Sequence, residues 1–174
     1  IFLGLVGYIV KFTIVDAPDV INSPYNKRTA ALSEKVVRGS IKSANDKVLA
    51  ESTVDEEGNQ HREYPFEDMF AHVVGYTGHG KAGLESACNY ELLSSHEQIM
   101  DQLKSGVKGE RSVGDTIVTT LDTRLQKAAY NALDGYRGAV VAIEPKTGKV
   151  RALVSKPDFD PNSLDEIWEE INAD

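Results

Sequence analysis

The chain has 174 residues, 41% of them hydrophobic and 26% charged, which is enough to close one core or two small ones. Its formal net charge is −8, but the acids crowd at one end: from Asp158 onward there are seven and no base, which leaves 20 acids against 19 bases before that point. The near-neutral body lacks the basic patch that nucleic acid would need, and the lone Cys88 excludes an internal disulfide or a cysteine-based metal centre.

The opening run IFLGLVGYIVKFTIV holds Lys11 as its only charge in fifteen residues. It is shorter than the roughly 20 apolar residues of a full span. It is apolar from its first residue, however, and Gly4 and Gly7 suit a membrane helix. Residues 1–15 therefore read as part of a truncated membrane-anchor helix. No small-residue cleavage site follows, which favours an anchor over a signal peptide. Residues 16–30 carry Pro18, Pro24, two Asn and one Ser, and read as a linker.

Short strand-like runs follow at Val36–Val37, Ile41 and Val48–Leu49, with a hairpin turn at Ala44-Asn45-Asp46. A second turn is expected at 55–59 and a third short strand at QHREYP, ended by Pro65. Residues 66–80 suggest a short helix running into a Gly-rich loop, and 84–94 a helix containing Cys88 as a small buried group. The polar stretch 94–114 reads as a connecting loop. The β-branched run Asp115–Leu121 predicts a strand, and Asp122 an N-cap. The helix that Asp122 opens is expected to bury Leu125, Ala128, Ala129 and Leu133. Gly138–Ile143 reads as a buried strand, 144–148 as a tight turn and 150–155 as the returning strand. The acidic end, with Leu164, Ile167, Trp168 and Ile171, reads as a solvated helix.

Three short motifs raise the chemistry of serine enzymes that react with penicillins: Ser105–Lys108 as S-x-x-K, Ser43–Asn45 as S-x-N and Lys146–Gly148 as K-T-G. That chemistry needs Ser and Lys one turn apart on a stiff helix, with the Lys within reach of the hydroxyl. Ser105 and Lys108 lie instead in a polar, Gly-containing stretch, Ser43 precedes them in the chain, and Lys146–Gly148 occupies a turn. These are chance copies, and no catalytic residue is assigned. His61, His72, His79 and His96 have no ligand-like spacing, and Gly75–Gly80 lacks the Lys-Ser/Thr of a phosphate loop, so neither metal nor cofactor is expected.

Five other segments, in order, carry a family resemblance. They are Arg38-Gly39-Ser40-Ile41 with Val48-Leu49-Ala50; Arg62-Glu63-Tyr64-Pro65; Gly80-Lys81-Ala82-Gly83-Leu84-Glu85; Gly114-Asp115 with Thr119–Asp122 and Leu125-Gln126; and Gly138–Gly148 with Pro157–Asn162. Together they resemble the class B penicillin-binding proteins, and the short first module is similar to those of the PBPA kind. The first hairpin turn departs from the family's usual Asp-Arg-Asn-Gly, reading Ser43-Ala44-Asn45-Asp46-Lys47.

The resemblance implies an α+β fold: a pedestal or dimerisation module of short hairpins and helices over 31–113, then the opening of a transpeptidase domain over 114–174, ending before the nucleophile. It also implies a non-catalytic part of a single-pass, extracytoplasmic D,D-transpeptidase that cross-links peptidoglycan stem peptides. The implied partners are a second copy of the chain and a polytopic glycan polymerase of the SEDS type. The rival readings are a catalytically inactive binding or sensor ectodomain and a self-contained serine hydrolase using Ser105 and Lys108. Arg38 and Glu85 are expected to form an ion pair tying hairpin to helix. Gly39, Gly80 and Gly83 are expected to take backbone conformations closed to other residues.

Overall fold

A computed structural model describes residues 1–16, 36–95 and 112–171. The N-terminal run forms helix α1, Phe2–Lys11, prolonged by a π-helical turn over Phe12–Asp16. Its apolar side chains lie exposed. No helix among the described residues is long and apolar enough to cross a membrane.

A four-stranded sheet carries the first part of the body, in the order β4-β3-β2-β8. It comprises β2 (Ile41–Lys42), β3 (Val48–Val54), β4 (Gln60–Glu63) and β8 (Ile117–Val118). The hairpin expected at 44–46 joins β2 to β3, with Asp46 at φ 58° and the Ser43 and Lys47 backbones bonded across it. The second turn, at 55–59, is closed by the Asp55 carboxylate, which accepts from the backbone N–H groups of Glu57 and Asn59. Beside the sheet, β1 (Val36–Val37) pairs in parallel with β7 (Ser112–Val113).

Three short helices cover the sheet: α2 (Ala71–Val74), entered through a 3-10 turn at Glu67–Phe70, then α3 (Gly83–Ala87) and α4 (Asn89–Leu93). The helix expected over 84–94 is thus broken at Cys88, whose backbone leaves helical geometry at φ −107°, ψ 25°. Cys88 packs on the core from the edge, and burial pushes its thiol pKa up. Between α2 and α3 the Gly-rich segment forms a small ribbon, β5 (Thr77–Gly78) with β6 (Gly80–Lys81). The core gathers Ile41, Leu49, Ala50, Tyr64, Phe70, Val74, Leu92 and Leu121.

The last part is α5 (Thr123–Ala132), the antiparallel hairpin β9 (Gly138–Ile143) and β10 (Val150–Lys156), and α6 (Leu164–Ile171). Asp122 caps α5 as expected, accepting from the Arg124 backbone at 2.9 Å. Three expectations need correction here. Within 115–121 only Ile117–Val118 is strand, because β2 offers just two residues to pair with. On α5 the buried positions are Gln126 and Ala129, while Leu125 is 47% exposed. Gln126 wins the inward place because its amide serves three backbone groups: it donates to the carbonyls of Met69 and Leu153 and accepts from the Leu153 N–H. Finally, β9 is not buried. Val141 and Ile143 are 53% and 55% exposed, because β10 covers one edge of β9 and α5 one face.

Candidate functional site

The densest chemistry among the described residues is a charged cluster where β4, the β1–β2 connection and α3–α4 meet. Period-2 alternation along β4 sends Gln60 and Arg62 to one face and His61 and Glu63 to the exposed one. Ser52 stands opposite Arg62 on β3, so it shares that face. Glu85 sits in the first turn of α3, where exposed backbone N–H groups favour a carboxylate, and it is completely buried.

Arg38 reaches Glu85 from the β1–β2 connection. Its Nε donates to Glu85 Oε2 at 2.6 Å, its Nη1 to Asn89 Oδ1 at 2.7 Å and its Nη2 to the Glu85 carbonyl at 2.6 Å. Arg62 takes the other carboxylate oxygen: its Nε donates to Oε1 at 2.8 Å. Arg62 Nη1 donates to the Gly39 carbonyl at 2.8 Å and the Ser52 hydroxyl at 3.0 Å. Its Nη2 lies 2.7 Å from Oε1 but outside hydrogen-bonding geometry, so this buried N–H group has no acceptor of its own.

The expected Arg38–Glu85 pair is therefore present, and it is one half of a triad. Sequence reasoning singled out Arg62 only as a motif residue and missed its place on the same carboxylate. It also gave Asn89, which follows the Gly80–Glu85 motif, no partner; its side chain fixes the outer edge of Arg38. Burial draws the Arg38 pKa below its ordinary value, with Glu85 pulling the other way. Burial, and then the nearby Glu85 charge, pushes the Tyr64 phenol up to about 12.

The remaining expected site residues surround this cluster. Tyr64 is core, and exposed Pro65 begins the turn in which Glu67 N donates to Tyr64 O at 2.9 Å. Gly83 opens α3 at φ +57°, and a Cβ there would stand 2.8 Å from the Val73 carbonyl. Gly80 lies in β6 at φ +90°. Gly39 needs no unusual φ, which corrects the conformational reason expected for it. Its reason is space, since a Cβ would meet the Asp115 carbonyl at 2.0 Å. Gly114 is the other side of that approach: its Cβ would meet the Leu92 carbonyl at 1.9 Å. Asp115 closes the crossing by donating its backbone N–H to the Ser94 and Glu91 carbonyls. Asp122 lies apart, at the start of α5.

The penicillin-enzyme copies do not assemble. Ser105–Lys108 lies outside the described residues. Ser43 is fully buried, and its hydroxyl accepts from Lys47 N at 2.9 Å within the turn. Asn45 exchanges hydrogen bonds with Thr123 at the start of α5. Lys146–Gly148 closes the β9–β10 hairpin, with the Thr147 and Gly148 N–H groups both donating to the Glu144 carbonyl. Among the described residues no group of His, Cys, Asp and Glu could hold a metal ion.

A joint fastens the first part to the last. Asn162 Oδ1 accepts from Tyr64 N at 2.9 Å, and Asn162 Nδ2 donates back to Tyr64 O at 3.1 Å. Tyr130 brings its hydroxyl to Asp68 at 2.8 Å and Asp158 at 2.5 Å, with Lys156 Nζ 3.9 Å above its ring. His79 stacks on Trp168 at 4.6 Å and meets Asp165 at 2.7 Å.

Comparison with known proteins places this architecture. Residues 38–117 match the family model for the penicillin-binding protein A dimerisation domain. The peptidoglycan D,D-transpeptidase PbpA of Mycolicibacterium smegmatis is 32% identical over 167 residues, covering 87% of this chain and 34% of that protein. The crystal structure of PBPA from Mycobacterium tuberculosis superposes with a TM-score of 0.67 at 30% identity, over 79% of this chain and 34% of that one. A D,D-transpeptidase domain of a peptidoglycan glycosyltransferase from Eggerthella lenta gives a TM-score of 0.66 at 33% identity, over 80% and 30%. The chain spans about a third of the length of the curated relatives it matches across most of its own.

Proposed function

We propose that the chain is the non-catalytic N-terminal portion of a penicillin-binding protein of the PbpA type, a pedestal that holds a serine D,D-transpeptidase domain in place; the match of residues 38–117 to the dimerisation-domain model and the likeness to PbpA proteins support this. The reading divides the chain into an anchor segment over 1–15, a linker over 16–30, a pedestal over 31–113 and the opening of the transpeptidase domain over 114–174. The parent protein cross-links peptidoglycan stem peptides on the outer face of the membrane, by acyl transfer through a serine outside this chain. A second copy of the chain and a membrane glycan polymerase are its proposed partners.

The joint carries this reading. Asn162 pairs with both backbone groups of Tyr64, and Tyr130 reaches Asp68, so the last part of the chain is fixed to the sheet module through contacts that include these two. A mobile tether would need neither contact. In the full-length protein, Asn162→Ala combined with Tyr130→Phe should lower peptidoglycan cross-linking while leaving the rate of serine acylation by penicillin unchanged. Unaltered cross-linking would show that the joint positions nothing.

A further inference from the structure

The cluster borders a cleft of about 200 Å³, lined by Arg38, Ser52, Gln60, Arg62, Thr77, Lys81 and Leu93. The triad needs no such opening for stability. Three cations, Arg38, Arg62 and Lys81, stand around one carboxylate, Glu85. Lys81 is exposed on β6, and among the described residues Glu85 is the carboxylate whose field supports its charge, while burial and Arg38 oppose it. Arg62 is 8% exposed, and its Nη2 is buried against Glu85 Oε1 at 2.7 Å, so this guanidinium acts on the cleft through its charge. Gln60 and Ser52 form inert walls: the Gln60 amide is bonded to Arg38 N and Val36 O, and the Ser52 hydroxyl to Arg62. The cluster therefore sets an excess of partly desolvated positive charge beside an open cleft, a field that favours an anion.

We propose that this cleft binds an oxyanion, a carboxylate or phosphate group, held by Lys81 and Thr77 in the field of the Arg38 and Arg62 guanidinium groups. The cleft is smaller than the about 300–1,000 Å³ of pockets that enclose whole ligands, so it takes a head group rather than a cofactor. Leu93 offers an apolar wall to the carbon that carries the group. The shared chemistry has two sources, free phosphate or the carboxylate of an acidic side chain.

The test is thermal melting of the intact chain in sodium phosphate and in sodium glutarate, each against sodium chloride of equal ionic strength. At least one oxyanion should raise the wild-type midpoint by several degrees with saturation. Lys81→Met should weaken the apparent affinity about tenfold or more, the loss expected for removing one charge-assisted contact. Thr77→Val provides a second, uncharged variant and should weaken it less. A response to phosphate at lower concentration than glutarate assigns the phosphoryl source; the reverse assigns an acidic side chain. Midpoints that track ionic strength alone, or a specific shift that survives in both variants, would overturn the site.

Discussion

Replacing Glu85 with Ala removes the one carboxylate that two buried guanidinium groups share. Arg38 would lose its Nε partner at 2.6 Å and Arg62 its Nε partner at 2.8 Å, while both side chains stay less than a tenth exposed. Breaking a buried pair by deleting one partner costs about 3–5 kcal/mol, because the remaining charge is left without compensation. Two stranded cations put this site at the upper end of that range. At about 2–4 °C per kcal/mol for a fold of this size, Tm should fall by roughly 10–20 °C. An exposed pair would contribute at most about 1 kcal/mol and would be screened by salt. Scanning calorimetry of wild type and Glu85→Ala at low and high salt therefore separates the two cases. A difference below about 3 °C, or one that disappears at 1 M salt, would refute the buried-triad reasoning.

Four further outcomes are expected. Arg38→Ala should also lower Tm markedly, since Glu85 and Asn89 lose three hydrogen bonds, and an unchanged Tm would remove Arg38 from the triad. Gly114→Ala, with a Cβ 1.9 Å from the Leu92 carbonyl, should destabilise by at least the roughly 1–3 kcal/mol of overpacking, whereas Gly138→Ala, whose nearest neighbour is 3.8 Å away, should be tolerated in the same denaturant titration. Gln126→Leu keeps the volume but orphans the Leu153 N–H and two carbonyls; urea unfolding should show a loss of about 1–3 kcal/mol, and no loss would mean the amide is dispensable. The hydrogen bond from Arg124 holds the Asp122 carboxyl down to about 2, below its ordinary 3.8. A depressed folded-state pKa gives stability that is present above the unfolded value and lost as pH falls through the folded one. The Tm gap between wild type and Asp122→Ala should thus be full at neutral pH and shrink between about pH 4 and pH 2, and a gap that does not change over that window would contradict the cap.

Much of the fold was legible because its signals are local. The turns at 44–46, 55–59 and 144–148 are marked by Asn, Asp and Gly, and Asp122 announces its helix by type and position alone. The Arg38–Glu85 pair came from residue chemistry within a recognised motif order. What escaped depends on distant chain. Arg62 joins the triad because the β3–β4 register turns its side chain toward Glu85, which lies 23 residues further on. Gln126 displaces Leu125 from the interior because β10 and the Met69 turn present unpaired backbone groups there, and an apolar-face count cannot see them. The exposure of Val141 and Ile143 is likewise invisible locally, because a β-branched run reads as buried whether or not a second layer covers it.

The central claim is that this chain supports catalysis without performing it. Incubating it with a fluorescent penicillin, followed by intact-mass spectrometry, tests that most directly. The pedestal account predicts no covalent adduct. A stoichiometric adduct, abolished by Ser105→Ala, would contradict it and make the chain an enzyme in its own right.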